Sequence, residues 1–209
     1  KISGGLHGVG ASVVNALSEY ARVEVHRDGG QFVQEYSRGK QRAKVKKFGT
    51  SKLNGTIVLF QPDPEVFKEI RFDWNTIVER LRGQCYLVKG MRVKVIDARD
   101  YKGKFELDKV FYFDELGLQV PSMSFYFEGG LLSLVKFHNQ LEKPIHKNIF
   151  YVEKEADNVM VEVALQYVDD ISSRLFAFAN NIPNPVGGTH VTGFKTALTR
   201  ILNSYGRKN

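Results

Sequence analysis

The sequence is poor in the residues that build disulfides, zinc sites and membrane spans. Its 209 residues include one cysteine, Cys85, which excludes an internal disulfide and supplies no zinc site. A lone cysteine in a helix is usually a small core residue, and we expect that role for Cys85. The chain has no run of 18 apolar residues, no signal peptide and no initial methionine. We therefore expect a fragment or processed piece of a cytoplasmic protein without membrane contact.

The bulk composition favours a folded, basic protein. Hydrophobic residues make up 43% of the chain and aromatic residues 12%, which is enough for a sizeable core. The 30 basic residues exceed the 23 acidic ones, so the net charge is +7. Nucleic acid or nucleotide phosphate is a plausible partner, and a basic domain without an anionic partner is the alternative.

Hydrophobic periodicity predicts an α+β fold, with strands and helices in both halves of the chain. Two hairpins are predicted, with turns at Asp28-Gly29-Gly30 and at Asp157-Asn158. Further strands are predicted in AKVKKF, GTIVLFQP, MRVKVID, KFELDKVFYFDEL and SRLFAFANNI. Helices are predicted in SVVNALSEY, in DWNTIVERLRGQCYLV with Asp73 as its cap, after Gly129-Gly130, and from Thr189 as N-cap. The last helix has a predicted buried stripe of Val191, Phe194, Leu198, Ile201, Leu202 and Tyr205.

A glycine-rich loop precedes the first predicted helix, in GGLHGVG at residues 4–10. Glycines let the backbone approach a phosphate closely, and a following helix adds unpaired N–H groups and a positive dipole end. The spacing is neither the Walker loop nor the dinucleotide fingerprint, so a flexible hinge before a helix is the alternative.

Several stretches resemble one family of proteins. SGGLHGVGASVVNALS is similar to the nucleotide-lid motif of the B-subunit family of bacterial DNA gyrase, within the GHKL ATPase superfamily. Further similar stretches are NGTIVLFQPD, FDWNTIVERLRGQCYL, FEGGLLSLVKFHNQ, KPIHKNIFY, VEVALQY and FANNIPNPVGGTHVTGFKTALTRILNSYGRKN. The B subunit of topoisomerase IV shares these motifs and is the close alternative.

The resemblance implies an ATP-binding site. In this family the backbone amides of the loop wrap the triphosphate, which assigns that role to Gly5, Leu6, His7, Gly8, Val9, Gly10 and Ala11. Thr56 matches a threonine near the adenine, although a β-branched residue that only fills a strand is an equal reading. Arg27 matches an arginine at the pocket mouth where coumarin antibiotics bind.

The resemblance also implies a domain plan. Residues 1–128 correspond to the C-terminal portion of the GHKL α/β sandwich, and residues 129–209 to the start of a two-layer α/β transducer domain. The stretch near 105–124 is longer than expected and is interpreted as an insertion.

Catalytic residues are expected outside these 209 residues. The glutamate that activates water, the asparagine that holds Mg²⁺ and the aspartate that reads adenine would precede Lys1, and a catalytic lysine would follow Asn209. We therefore expect ATP and Mg²⁺ as cofactors, but no catalytic or metal-binding residue and no useful ATP hydrolysis in this piece alone. The implied partners are DNA, the A subunit of gyrase and a second B subunit.

Two further hypotheses come from other classes of protein. Another GHKL machine, such as a mismatch-repair clamp or a chaperone, would share the glycine lid but not GGTHVTGF. A non-enzymatic basic module would use the glycine loop as a hinge. The basic residues Arg38, Lys40, Arg42, Lys44, Lys46 and Lys47 alternate along a predicted strand, where a solvated face is favoured over a DNA contact.

Overall fold

The computed structural model describes residues 9–103 and 117–208, which form two compact units, 9–72 and 73–208. The predicted α+β class is confirmed. The described elements are α1 (Gly10–Ala16), β1 (Ser18–Arg27), β2 (Gly30–Ser37), β3 (Lys40–Gln41), β4 (Lys46–Thr50), β5 (Gly55–Pro62), α2 (Trp74–Leu87), β6 (Arg92–Ile96), β7 (Ser122–Tyr126), α3 (Leu131–His138), β8 (Phe150–Ala156), β9 (Val159–Leu165), β10 (Phe178–Ala179), β11 (Ile182–Pro183) and α4 (Thr189–Gly206). The predicted strand KFELDKVFYFDEL lies outside the described residues.

The first unit is built on an antiparallel sheet. Its strand order is β3-β2-β1-β5, and β4 also pairs with β2. The predicted hairpin β1–β2 is confirmed, with Asp28 and Gly29 at φ 50° and 73° in a two-residue turn. Positive φ at both positions matches the right-handed twist of the strands, and glycine adopts it without strain. The sheet therefore has β1 as a central strand, paired on both sides.

The first helix is shorter than predicted. It ends at Ala16, and the Ser18–Tyr20 end of the predicted helix SVVNALSEY lies in β1. Ser18 Oγ donates to the Val14 carbonyl oxygen over 2.6 Å and so satisfies one carbonyl of the last turn. Pairing of β1 with two neighbours outweighs the helical pattern of this segment.

The basic segment is not one strand, which corrects the prediction that its cations alternate along a single face. After a turn with positive φ at Arg38 and Gly39, only Lys40–Gln41 and Lys46–Thr50 are strands. The predicted strand AKVKKF thus begins three residues later than its sequence suggested. The cause is the Arg38–Gly39 turn, which returns the chain along β2 in two separate short pairings.

In the second unit α2 packs on the β6–β7 hairpin. The Asp73 carboxylate accepts from the Thr76 amide over 2.7 Å, which confirms Asp73 as the N-cap. Cys85 is fully buried with Val78, Val95 and Phe125, so its predicted core role is confirmed. Burial raises the pKa of the Cys85 thiol, which makes the reactive thiolate scarce at neutral pH.

Two more hairpins complete this unit. The predicted β8–β9 hairpin is confirmed, with φ 50° at Asp157 and 62° at Asn158. The segment SRLFAFANNI was predicted as one strand and instead forms the short hairpin β10–β11. Its turn residues Asn180 and Asn181 have φ 46° and 65°, a conformation that asparagine tolerates better than most residues.

The last helix begins as predicted in position but not in capping. Gly188 is the N-cap and Thr189 is the first helical residue, and no side chain caps this end. The predicted buried stripe is also wrong in its second half. Val191, Phe194 and Leu198 are half-buried, but Ile201, Leu202 and Tyr205 are 62%, 51% and 68% exposed, because no described layer covers them. No helix in the described ranges is both long and apolar enough to cross a membrane.

Candidate functional site

Two of the predicted site residues lie on one face of the sheet. Thr56 on β5 is directly opposite Val25 on β1, and Arg27 is the next residue of β1 on that face. Diagonal neighbours across antiparallel strands are about 7–8 Å apart, so Thr56 and Arg27 are close. Both are exposed, and the only described ion pair of Arg27 is with the adjacent Asp28, at 2.9 Å. The structure therefore brings these two residues together at the turn end of the β1–β2 hairpin.

The glycine loop is described only in its last part. Val9 is the N-cap of α1, Gly10 begins the helix and Ala11 follows in its first turn, whereas Gly5, Leu6, His7 and Gly8 lie outside the described residues. No side chain caps α1, and its first turn contains no acidic residue. The amides of Gly10 and Ala11 thus have no helical acceptor, and the first turn of α1 places no acidic side chain at the positive end of the helix dipole.

The C-terminal end of α1 is fixed at the far end of the same sheet. The Gly39 amide donates to the Asn15 carbonyl over 3.1 Å, and the Asp63 amide donates to the Leu17 carbonyl over 3.0 Å. Val25 lies seven residues after Ser18 along β1, which corresponds to about 20 Å. The end of α1 is therefore about that far from Thr56, and the sheet alone does not bring the two together.

An acidic residue clamps the turn beside α1. Asp63 is 2% exposed, and its carboxylate accepts from Arg38 Nε over 2.6 Å and from the Glu65 amide over 2.9 Å. The backbone N–H of Glu65 and the Arg38 guanidinium lower the pKa of Asp63 against the effect of burial. This clamp joins the β2–β3 turn to the end of β5.

The structure also contains a buried polar cluster that the sequence analysis missed. Glu24 is 5% exposed and accepts hydrogen bonds from Arg22 at 3.0 Å, Gln31 at 2.7 Å and His26 at 3.1 Å. The other ring nitrogen of His26 lies 2.7 Å from Ser51 Oγ. Burial alone would raise the pKa of Glu24, but the hydrogen bonds from Arg22, His26 and Gln31 outweigh it and lower the pKa.

The cluster has a structural role. Ser51 Oγ also accepts from the Leu53 amide at 3.1 Å, and the Glu24 carboxylate is occupied by three donors. The sequence did contain a signal, since Tyr20, Arg22, Glu24 and His26 alternate with Ala21, Val23 and Val25. Such alternation usually places the polar side in solvent, whereas here the polar side of the central strand is the more deeply buried one.

The histidines that the structure describes show no metal-binding geometry. No group of three or more His, Cys, Asp or Glu side chains within residues 9–103 and 117–208 could hold a metal ion. His138 instead stacks on Phe176 with ring centroids 4.2 Å apart, and burial lowers the pKa of His138, with further lowering by Arg174.

Comparison with known proteins finds similarity to the B subunit of DNA gyrase. The family model for DNA gyrase B matches residues 130–209. The chain is 43% identical to the B subunit of DNA gyrase from Clostridium acetobutylicum; the match covers 100% of this chain and 30% of that relative. It is 42% identical to the B subunit of DNA gyrase from Bacillus mycoides, again over the whole chain and over 48% of that relative. The chain is thus similar to the B subunit of DNA gyrase over its whole length.

Solved structures of gyrase B show the same similarity. The 43K ATPase domain of Thermus thermophilus gyrase B, in complex with an aminocoumarin, matches 97% of the chain with 34% identity and a TM-score of 0.79, over 50% of that structure. The B subunit of the gyrase from Myxococcus xanthus has the same fold, with a TM-score of 0.69 and 22% identity over 87% of this chain and 48% of that one. The resemblance to gyrase B seen in the sequence is thus confirmed.

The chain spans less than half of the length of the two curated relatives above. Its compact units divide between residues 72 and 73, and the domain boundary at 128–129 stays a prediction.

Proposed function

We propose that this chain is part of the ATP-binding subunit of a type II DNA topoisomerase, DNA gyrase B. In this role the protein uses ATP binding and hydrolysis to drive strand passage and negative supercoiling of DNA. The observation that carries the proposal is identity of about 40% to gyrase B proteins over the entire chain, together with the match to a gyrase B ATPase domain. The proposed partners are DNA, the A subunit of gyrase and a second B subunit, in the cytoplasm.

The residues at the start of α1 fit a polyphosphate. Val9, Gly10 and Ala11 are exposed, the helix start has no acidic residue or side-chain cap, and Gly10 has open space where a Cβ would be. We assign triphosphate binding to the backbone amides of Gly5, Leu6, His7, Gly8, Val9, Gly10 and Ala11. Bound ATP with Mg²⁺ would supply the phosphoryl group whose transfer to water resets the enzyme. The loop contributes electrostatic positioning and no nucleophile.

Thr56 and Arg27 are proposed to form the adenine side and the mouth of the same site. Their shared position at one end of the sheet supports this pairing. The exposed guanidinium of Arg27 has five donors and one described partner, Asp28, so it can bind a ligand without breaking a buried contact. The Thermus relative binds an aminocoumarin, and we propose that Arg27 contacts this inhibitor class.

The decisive experiment uses the full-length protein with its A subunit on relaxed circular plasmid and ATP. We expect negative supercoiling. Decatenation or relaxation without supercoiling would move the protein to topoisomerase IV. Absence of strand passage by folded subunits would contradict the topoisomerase proposal. The 209 residues alone are still predicted not to hydrolyse ATP.

The nucleotide site has its own test. Gly10→Ala adds a methyl group where the backbone is proposed to approach a phosphate, so we expect ATP affinity to fall about tenfold or more. Gly83→Ala is the matched control, because Gly83 is also helical and also has open space around it. Equal ATP affinity of the two variants, measured by equilibrium binding, would remove Gly10 from the site.

A further inference from the structure

The positive charge of the chain is concentrated in one segment. Residues 36–62 contain seven basic residues and no acidic residue. The remainder of the chain has 23 basic and 23 acidic residues, so this segment accounts for the entire net charge of +7. This segment is therefore the best candidate for a positively charged surface that binds an anionic partner.

The seven basic residues of this segment lie between residues 38 and 52, and this part of the chain runs along one edge of the sheet in the first unit. β3 and β4 both pair with the edge of β2 that does not face β1. Between them the Arg42 amide donates to the Glu35 carbonyl over 2.9 Å, and the Gln34 side chain donates to the Ala43 carbonyl. The chain thus follows β2 from residue 38 to residue 50, and every residue from 38 to 48 is exposed. We call residues 38–52 the basic edge.

Most cations of the basic edge have no acidic partner. Arg38 binds Asp63 and Glu65, and Arg42 lies over the Tyr20 ring at 5.1 Å. The other five form no ion pair with a described residue; they are Lys40, Lys44, Lys46, Lys47 and Lys52.

The shape and composition of the basic edge suit a polyanion. The basic edge follows the eight residues of β2, which span about 25 Å, and duplex DNA carries one phosphate per about 1.7 Å of its axis. Val45 and Phe48 are 60% and 58% exposed between the lysines.

We propose that the basic edge binds the phosphate backbone of duplex DNA without regard to base sequence. The lysines supply ionic contacts to phosphates, which position DNA but do not read its bases. The inference rests on the proposed function, because a topoisomerase subunit is what brings duplex DNA to this surface.

The test compares two charge-neutralising double variants of the full-length B subunit. Lys44→Gln with Lys46→Gln removes two cations from the basic edge. Lys68→Gln with Arg71→Gln removes two exposed cations of the same unit away from it. Binding of a 30-bp duplex is measured by fluorescence anisotropy at several salt concentrations. Since each phosphate contact adds about 0.9 to the salt slope, the first variant should lower the slope by about 1.8 and the affinity at 0.1 M salt about 60-fold, and the second should change neither.

Three results would overturn the inference. The first is a salt slope that is the same for wild type and both variants. The second is an equal loss of slope and affinity in the two variants. The third is a larger loss on single-stranded than on duplex DNA, which would reassign the surface to single strands. If thermal unfolding shows that Lys44→Gln with Lys46→Gln disturbs the fold, Lys40→Gln with Lys52→Gln changes two cations outside β4 and should lower the slope equally.

Supercoiling by the complete enzyme separates this inference from the proposed function. If wild type does not supercoil, the proposed function fails whatever the salt slopes are. If wild type supercoils but the slopes do not differ, the basic edge alone is refuted. We expect the Lys44→Gln with Lys46→Gln variant to supercoil less while its ATP turnover without DNA stays unchanged.

Discussion

The buried cluster around Glu24 offers a sharp test of what holds the first unit together. Glu24→Gln keeps the shape of the side chain but removes its charge. Arg22, whose side chain is 12% exposed and whose Nε has no partner among the described residues, then loses its close ion pair, and the weak 4.0 Å pairing with Glu35 is its remaining ion pair with a described residue. Removing one member of a buried ion pair costs about 3–5 kcal/mol, and we expect the lower end because glutamine still accepts hydrogen bonds.

The assay is urea unfolding of the 209-residue chain at pH 7. With an m value of about 2 kcal/mol/M, a loss of about 3 kcal/mol shifts the midpoint by about 1.5 M. Glu35→Gln is the control, because the Glu35 carboxylate is 40% exposed and should contribute under about 1 kcal/mol. Equal effects of the two substitutions would refute the argument from burial.

The pH dependence of the stability difference between wild type and Glu24→Gln gives a second readout. The pKa of Glu24 is lowered in the folded state, so its contribution is complete above the unfolded value of about 4.3. It is lost as the pH falls through the lower folded pKa. The stability difference between wild type and Glu24→Gln should therefore be constant from pH 7 to pH 5 and shrink below about 4.5. A difference that grows in acid would contradict the direction of the shift.

Two further predictions concern the core and a turn. The Cys85 thiol should react with a disulfide reagent more than about a hundredfold slower in the folded chain than in urea, because it is fully buried and its pKa is raised; comparable rates would contradict its place in the core. In urea titrations, Gly29→Ala should lower the free energy of unfolding by about 1 kcal/mol. Gly39→Ala should lower it by more. Both glycines have positive φ, but a Cβ at Gly39 would also lie 3.3 Å from the Ala16 Cα, so equal losses would exclude that contact as a cause.

Features with a local cause were predictable from the sequence. The Asp28-Gly29 and Asp157-Asn158 turns, the Asp73 cap and the core position of Cys85 were each encoded within a few residues. A two-residue turn needs only residues that tolerate positive φ, and a cap needs only a short side chain with an oxygen acceptor. Neither depends on contacts that are distant in sequence.

Features with non-local causes were not predictable. Glu24 is surrounded by Arg22 and His26 from its own strand and by Gln31 from β2, and a strand pattern cannot reveal that this polar face will be the buried one. Tyr205 is exposed because burial of a helical stripe requires a second layer, which periodicity assumes without supplying.

The candidate site combines both kinds of information. The glycine loop was visible as a local motif, and family resemblance singled out Thr56 and Arg27. Their position on one face depends on the register of β1 with β5, which pairs Val25 with Thr56. That register joins segments about 30 residues apart, and sequence alone gives no such alignment.

The two-residue turns also bear on the order in which the sheet assembles. The β1–β2 hairpin closes over Asp28 and Gly29 alone, whereas the first β1–β5 pair, His26 with Gly55, encloses residues 27–54. Closing the longer loop costs about 2 kcal/mol more in chain entropy. Hairpins form in microseconds, so β1 and β2 present a preformed template before β5 arrives. Docking of β5 is then the slow step, and because the hairpin is already formed at that step, a substitution at its turn should slow folding more than an equally destabilising substitution along the β1–β5 pairing.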